Sequence, residues 1–327
     1  MNTRTLGNKG FTVSEVGLGC WQIGANWGNE IAKEEAFEIL NKAVENGITF
    51  FDTADVYGDG RSEELIGEFI KNCKTPIRVA TKFGRSADVF PNHYTEVSLR
   101  NHVEDSLKRL GVSTLDLIQL HCIPLEELKK GDIFNWLRTL QKEGKIRHFG
   151  ASVESVEEGL LCLEQEGIQS LQVIFNIFRQ KLVKELLPQA KAKGVGIIVR
   201  LPLASGLLTG KFTKDTQFLE SDHRNFNKDG EAFNVGETFA GLPFEKGIEL
   251  TEELKTICPD DLSLTELSLR WILDHEEVSA IIPGASSSKH IEGNAKASNL
   301  SALSEKTMTE LSEFYQNKVH PYIRGSY

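Results

Sequence analysis

The chain has 327 residues and a formal net charge of −10 at pH 7. An acidic chain is a poor candidate for binding nucleic acid or a membrane surface, because either partner requires a concentrated basic patch. No apolar run approaches the roughly 18–20 residues that cross a bilayer, and we recognise no signal peptide. The five cysteines are scattered, with no Cys-x-x-Cys pair. We therefore expect a reducing cytoplasmic compartment, no disulfide framework and no metal site.

The predicted elements begin with a β-hairpin in residues 1–15, whose turn falls at Asn8-Lys9-Gly10. Amphipathic helical stretches then separate eight short apolar runs, each suited to a buried parallel strand. These runs are residues 16–19, 48–51, 77–80, 115–118, 146–149, 171–174, 195–199 and 278–282. Strands that alternate with helices through short connections form parallel βαβ units.

Eight such units predict an α/β fold of the (β/α)8 (TIM) barrel type, formed by the whole chain 1–327, with the hairpin closing one end of the barrel. A doubly wound open sheet is the alternative, but no Gly-x-Gly-x-x-Gly turn opens a helix after any predicted strand.

One long segment, residues 213–243, has no hydrophobic periodicity and is rich in Gly, Asn, Asp and Phe. A loop of this length in a compact domain is usually functional or disordered, and its phenylalanines favour an ordered lid. We expect this segment, here called the mouth loop, to lie over the barrel mouth. Together with Trp21 and Trp27, its phenylalanines suggest an apolar, aromatic-lined substrate pocket, although each of them could equally serve in packing.

Four reactive side chains stand near the carboxyl ends of successive predicted strands, where barrel enzymes place their chemistry. Asp52, Lys82 and His121 follow the apolar runs, and Tyr57 lies in the loop after Asp52. Taken singly, Asp52 could be a cap residue, Lys82 a solvated lysine and His121 a structural histidine. Together they suit proton transfer to a carbonyl oxygen, because an ammonium can lower the tyrosine pKa from about 10 and a histidine can orient the oxygen.

The sequence resembles the aldo-keto reductase superfamily in a series of ordered motifs. The motifs are residues 47–58 (Gly-Ile-Thr-Phe-Phe-Asp-Thr-Ala-Asp-Val-Tyr-Gly), 80–82, 116–121, 144–152, 206–211 and 281–285. The resemblance extends from the hairpin to about Asn294. It implies a barrel that reduces aldehydes or ketones with NADP(H) and without metal. Tyr57 would be the general acid, with Lys82 and Asp52 tuning it and His121 orienting the carbonyl.

The resemblance also implies a cofactor site across the barrel mouth. Near the first strands we expect Gly19, Cys20, Trp21 and Asp52. Around the nicotinamide we expect Ser152 and Gln172 at the carboxamide, and Arg200 at the position where an aromatic ring often stacks on the ring. Leu203, Gly206, Thr209 and Lys211 should follow the pyrophosphate, and Gly284, Ser286, His290 and Asn294 the adenosine end.

Two positions near the expected nicotinamide depart from the family pattern. Val153 stands where Asn commonly follows the carboxamide-binding serine, so one amide contact is lost. Arg200 replaces an aromatic residue, and a guanidinium can also stack on a planar ring. Its charge would disfavour the oxidised cofactor unless Arg200 turns towards a carboxylate.

The loop at residues 284–288 lacks the Lys or Arg that many relatives place there, so a 2′-phosphate needs another partner. The candidates are Lys211, Lys289, His290 and, preferred, Arg224 on the mouth loop. The alternative is that Arg224 pairs with Asp222 or Glu220. NAD(H) is a second candidate cofactor, and binding of NADH as tight as that of NADPH would indicate that this serine-rich loop marks a dual-cofactor enzyme.

Two other functions compete with NADP(H)-dependent reduction of a small carbonyl substrate. Lys82 could form a Schiff base in a barrel aldolase, although Tyr57 within its motif disfavours that reading. A cofactor-binding sensor or regulatory subunit with slow turnover would retain the same residues. The sequence predicts no nucleic-acid or membrane partner, and neither the physiological substrate nor the oligomeric state can be read from it.

Overall fold

The structure is a computed structural model that describes residues 1–24 and 31–327. Its central feature is a barrel of eight parallel strands that neighbour one another in chain order. The strands of the preceding hairpin are β1 (Thr3–Thr5) and β2 (Thr12–Ser14). Those of the barrel are β3 (Leu18–Gly19), β4 (Phe50–Asp52), β5 (Arg78–Phe83), β6 (Leu115–His121), β7 (Ile146–Ser152), β8 (Ile168–Ile174), β9 (Gly196–Arg200) and β10 (Val278–Ile281).

The barrel closes where the segment leading into β3 meets β10. The amide of Gly17 donates to the carbonyl of Ile281 at 2.8 Å, and the amide of Gly19 donates to the carbonyl of Pro283 at 3.1 Å. Each predicted apolar run overlaps one of the eight strands. The predicted (β/α)8 barrel is therefore confirmed, and its parallel register brings all carboxyl strand ends to one mouth.

Most of the described helices surround the barrel and pack their apolar faces on its outer surface, whereas α1 and α9 lie at the mouth. They are α1 (Trp21–Gly24), α2 (Lys33–Glu45), α3 (Arg61–Asn72), α4 (Glu96–Leu110), α5 (Leu125–Lys130), α6 (Asp132–Lys142), α7 (Val156–Leu163), α8 (Leu186–Lys193), α9 (His223–Phe226), α10 (Phe244–Leu254), α11 (Leu264–Leu273), α12 (Ser288–Lys296) and α13 (Glu305–Phe314). Capping boxes begin α7 at Ser155 and α11 at Ser263, because each hydroxyl and the Glu three residues later satisfy each other's backbone amides. None of the described helices is long and apolar enough to cross a membrane.

The predicted hairpin is confirmed as an antiparallel pair of β1 and β2. Its apolar side chains Leu6 and Val13 are fully buried against Phe50, Leu117 and Ile198, which are core residues of three barrel strands. Buried apolar contacts of this kind stabilise by about 25 cal/mol per Å² removed from water. The hairpin thus seals the end of the barrel opposite the mouth.

The mouth loop is folded around small aromatic clusters. Phe218 contacts Phe212 and Phe244 with ring centroids 5.3 Å and 5.4 Å apart. The C-terminal tail fixes the end of this loop, because the guanidinium of Arg324 donates to the carbonyls of Gly241 and Leu242 at 3.0 Å and 3.3 Å. These contacts hold the loop across the carboxyl ends of the strands.

Candidate active site

The structure brings the four predicted catalytic residues together at the barrel mouth. The ammonium of Lys82 on β5 donates to Asp52 Oδ1 at 2.5 Å and to the carbonyl of Thr53 at 2.7 Å, and it lies 3.3 Å from the Tyr57 hydroxyl. The ring of His121, at the end of β6, meets the Tyr57 ring edge-on with centroids 5.9 Å apart. Lys82 is only 1% exposed, and both Tyr57 and its partner Asp52 line the cavity described below.

Two glutamines hold the Asp52 carboxylate from its other side. Asp52 Oδ2 accepts hydrogen bonds from Gln119 Nε2 at 3.0 Å and from Gln172 Nε2 at 2.7 Å. Gln172 lines the cavity as predicted, but its amide group supports Asp52. The sequence analysis missed Gln119, although a polar residue between the apolar run 115–118 and Leu120 of β6 was a usable signal.

The protonation states follow from burial and from the Lys82–Asp52 pair. Burial raises the pKa of Tyr57 more than the Lys82 charge lowers it, so the expected net decrease is not observed. For Lys82, burial lowers the pKa, but Asp52 and Tyr57 outweigh it and the net pKa is raised. Burial, with the nearby cations, lowers the pKa of His121 well below its usual value. At neutral pH, Tyr57 is therefore protonated, Lys82 charged and His121 neutral.

A cavity of about 1720 Å³ extends from Tyr57 and His121 along the barrel mouth to α12. This exceeds the roughly 300–1000 Å³ of most small-ligand pockets, so it can hold a large cofactor and a substrate together. All but one of the predicted cofactor residues line it, namely Gly19, Cys20, Trp21, Asp52, Gln172, Arg200, Leu203, Gly206, Thr209, Lys211, Arg224, Gly284, Ser286, His290 and Asn294.

Ser152 is the predicted cofactor residue that does not line the cavity among the described residues. It is 2% exposed, and its hydroxyl accepts a hydrogen bond from the thiol of Cys122 at 3.4 Å. The chain turns sharply at Cys122, which has a φ of 47°, and this residue lines the cavity. In this structure Ser152 therefore lies beneath the cavity wall.

Both arginines that the sequence left open are paired with carboxylates. Arg200 Nη1 lies 3.4 Å from Glu237 Oε1, so it has turned towards a carboxylate of the mouth loop. Arg224 forms a two-pronged pair with Asp222, at 3.0 Å from Nε and 2.5 Å from Nη2, and its guanidinium lies 4.5 Å from the centre of the Phe218 ring. The alternative pairing considered for Arg224 is thus the one present.

Aromatic residues form only part of the lining that the sequence analysis suggested. Trp21 and Phe233 line the cavity, whereas Phe218 packs into the cluster that holds the mouth loop; Trp27 lies outside the described residues. Beside Tyr57 and His121 the lining is charged, with side chains that the sequence analysis did not single out: Arg85, Glu154 and Glu237, next to Arg200. Arg85 and Glu154 each stand a few residues beyond a strand end, a position that could have identified them.

A sequence model described as the aldo/keto reductase family matches residues 15–316. The chain belongs to this family. It is 30% identical over 331 residues to YqkF, an uncharacterized oxidoreductase of Bacillus subtilis, and the match covers 99% of this chain and 100% of that protein. The family resemblance seen in the sequence is therefore confirmed.

Solved aldo-keto reductase structures share the fold of this chain. The holo form of an aldo-keto reductase from Bacillus halodurans is 26% identical, with a TM-score of 0.78 and 96% of each chain covered. The glycerol dehydrogenase from Gluconobacter oxydans is 27% identical, with a TM-score of 0.81, and 99% of this chain and 98% of that one are covered. Aldo-keto reductases are oxidoreductases that use nicotinamide cofactors.

Several features of the cavity fit a nicotinamide dinucleotide. Gly206 lines it with a φ of +100°, and a Cβ there would lie 2.7 Å from the Phe212 ring. At the far end, the N-cap Ser287 of α12 forms no side-chain cap hydrogen bond. The amide of His290 donates to the carbonyl of Ser287 at 3.1 Å, so the amides of Ser288 and Lys289 are the ones at this helix N-terminus that suit a phosphate. Lys211 and Lys289 line the same cavity. Glycine backbone, a helix N-terminus and cations are the groups that bind pyrophosphate and phosphate.

Proposed function

We propose that this aldo-keto reductase reduces a small aldehyde or ketone to an alcohol, with NADPH as the preferred cofactor and Tyr57 as the proton donor. The observation that carries the proposal is the position of Tyr57, whose hydroxyl lies 3.3 Å from a buried, charged lysine and whose ring lines the cavity beside His121. The scattered cysteine pattern supports a cytoplasmic location.

The bound nicotinamide cofactor supplies the hydride. Tyr57, which burial keeps protonated, donates a proton to the carbonyl oxygen as negative charge develops on it. Lys82 stabilises the phenolate that remains, and Asp52 keeps Lys82 charged through the 2.5 Å contact. His121 is neutral and buried against Tyr57, so it orients the carbonyl oxygen by hydrogen bonding without adding a charge.

The state of Lys82 argues against the aldolase reading. A Schiff base forms from a neutral amine, whereas Lys82 is ion-paired, almost fully buried and has a raised pKa. Its Nζ hydrogens are directed to Asp52, Thr53 and Tyr57. To attack a carbonyl carbon, the Lys82 amine would have to lose a proton and one of these partners.

The decisive experiment is single-turnover reduction of 4-nitrobenzaldehyde by the NADPH-loaded Tyr57→Phe variant. We expect the rate to fall at least ~100-fold, the usual scale for loss of a general acid, while NADPH affinity stays unchanged. Tyr322→Phe is the matched control, because Tyr322 is 46% exposed and lies outside the cavity lining. A Tyr57→Phe rate within a few-fold of the wild type would remove Tyr57 from this role. Cofactor binding without hydride transfer in the wild type would support the sensor or regulatory subunit instead.

The preference for NADPH rests on the cations at the α12 end of the cavity, Lys211 and Lys289, and on Arg224 if it leaves Asp222 for the 2′-phosphate. A charge-assisted contact of that kind contributes about 1.5–3 kcal/mol. Arg224→Ala should therefore weaken NADPH roughly ten-fold and leave NADH nearly unaffected. Lys228→Ala is the control on the same loop, because Lys228 is exposed. Equal losses for both cofactors in fluorescence titrations would assign Arg224 to its pair with Asp222 alone.

A further inference from the structure

The substrate end of the cavity contains four charged side chains that the mechanism above does not use. Arg85 follows β5, Glu154 follows β7, Arg200 ends β9 and Glu237 lies on the mouth loop; all four line the cavity. We propose that this charged ring (Arg85, Glu154, Arg200 and Glu237) determines specificity by selecting small, neutral carbonyl compounds that carry several hydroxyl groups. The inference rests on the proposed function, because it specifies the substrate class of the same site.

The ring alternates positive and negative groups at short range. Arg85 Nη2 lies 2.7 Å from Glu154 Oε1 and 3.3 Å from Glu237 Oε1, and that same oxygen lies 3.4 Å from Arg200 Nη1. The four side chains are only 12–21% exposed. Charges so far removed from water are costly unless each has a partner. Burial, followed by the charge of Glu237, raises the pKa of Glu154 to about 7. The ring is therefore neutral overall above about pH 7, where Glu154 is ionised.

The ring lies directly beside the reacting groups. The charges of Arg85 and Arg200 both contribute, after burial, to lowering the pKa of His121. Arg200 Nη2 is 3.5 Å from the Sγ atom of Cys122, the residue that follows His121. A carbonyl held by Tyr57 and His121 therefore presents its neighbouring carbons to the ring.

Hydroxyl groups match the hydrogen-bonding capacity of this ring. A hydroxyl both donates and accepts, so it can donate to a carboxylate and accept from a guanidinium without disturbing the ion pairs. The buried Nε atoms of Arg85 and Arg200 have no hydrogen-bond partner within residues 1–24 and 31–327. Being buried, these two atoms are out of reach of a substrate. The partly exposed guanidinium groups can instead offer Nη hydrogens, and the carboxylates their remaining lone pairs, to several hydroxyls of one small substrate.

The other substrate classes fit less well. An alkyl chain would cover the charged groups without hydrogen-bonding to them, and a site built to bind hydroxyls strongly rejects analogues that lack them. A substrate carboxylate would have to displace Glu154 or Glu237 from an arginine and would leave that buried glutamate without its partner. With Glu154 ionised, above about pH 7, the balance of charge in the ring therefore favours neutral, polyhydroxylated compounds.

The test compares kcat/KM for three aldehydes with NADPH at about pH 8.5, where Glu154 is ionised: D-glyceraldehyde, propanal of equal carbon number, and the anion glyoxylate. We expect wild type to prefer D-glyceraldehyde over propanal at least ten-fold, about 1.4 kcal/mol, and over glyoxylate by a similar factor. Glu154→Gln should lower the first ratio about ten-fold, mainly by raising KM for D-glyceraldehyde. Arg85→Gln provides a second variant should the first fold poorly.

Asp116→Asn is the matched control, because it makes the same carboxylate-to-amide change at an ion pair with Arg78 at the opposite end of β5 and β6. It should leave the ratio unchanged. A wild-type preference for propanal or glyoxylate, or equal ratios in Glu154→Gln and Asp116→Asn, would overturn the inference. If 4-nitrobenzaldehyde is nevertheless reduced in a Tyr57-dependent way, those outcomes overturn only the proposed substrate class, and the proposed function stands. If no aldehyde is reduced at all, the proposed function fails and this inference fails with it.

Discussion

The loop that carries Tyr57 is fastened to α4 by a histidine, and replacing this histidine should make stability depend on pH in a defined way. His102 Nδ1 lies 2.9 Å from Asp55 Oδ2, and His102 Nε2 lies 3.1 Å from Asp88 Oδ2. Asp55 stands two residues before Tyr57 and is only 7% exposed. The perturbation is His102→Gln, which keeps a hydrogen-bond donor but removes the titratable charge.

The magnitude follows from the raised pKa of His102. Hydrogen bonding to Asp55, opposed by burial and supported by Asp88, raises this pKa from 6.5 to about 9. At about 1.4 kcal/mol for each factor of ten, the imidazolium adds about 3 kcal/mol to the stability of the folded state. Because the folded pKa is the higher one, this contribution is complete below about pH 6.5 and is lost as the pH rises through about 9.

The assay is urea unfolding of wild type and His102→Gln at three pH values between about 6 and about 9.5. The difference in unfolding free energy should decrease by about 3 kcal/mol across that range and be about 2 kcal/mol near pH 7.5. Most other titrating groups cancel in the difference, and His93→Gln, at an exposed histidine, should show no such trend. A difference that stays constant with pH would refute the coupling between His102 and Asp55.

Three further predictions concern the supports of the barrel mouth and floor. Arg4→Ala should lower the free energy of unfolding by about 3 kcal/mol in urea titrations, because it leaves the buried carboxylate of Glu15 without its 2.8 Å partner; a loss below about 0.5 kcal/mol would contradict this. Gly206→Ala should lower stability by about 2 kcal/mol in thermal melts and weaken cofactor binding, because the new Cβ would meet the Phe212 ring at 2.7 Å with φ at +100°. Arg324→Ala should speed proteolysis of the mouth loop, since it removes hydrogen bonds of 2.8–3.3 Å to three backbone carbonyls there; unchanged cleavage would show that the loop is held by its aromatic clusters.

Much of the candidate site was predictable from the sequence because parallel strands impose a simple geometry. Once the apolar runs before Asp52, Lys82 and His121 are recognised as neighbouring strands, barrel closure places their ends side by side. The Lys82–Asp52 contact of 2.5 Å is the direct consequence. The same reasoning fails for the Tyr57 pKa, because the extent of burial depends on everything that surrounds the hydroxyl and not on its lysine neighbour alone.

What the sequence by itself determined is the barrel, its sealed floor and the set of reactive residues, since all three depend on short-range periodicity and on the order of strands. Only the tertiary structure decided which partner each polar side chain takes. Gln172 supports Asp52, and Arg200 pairs with Glu237 from a loop that follows it in the chain. Such pairings depend on where distant segments come to lie and on which buried charges must be neutralised there, and no local pattern in the sequence encodes either.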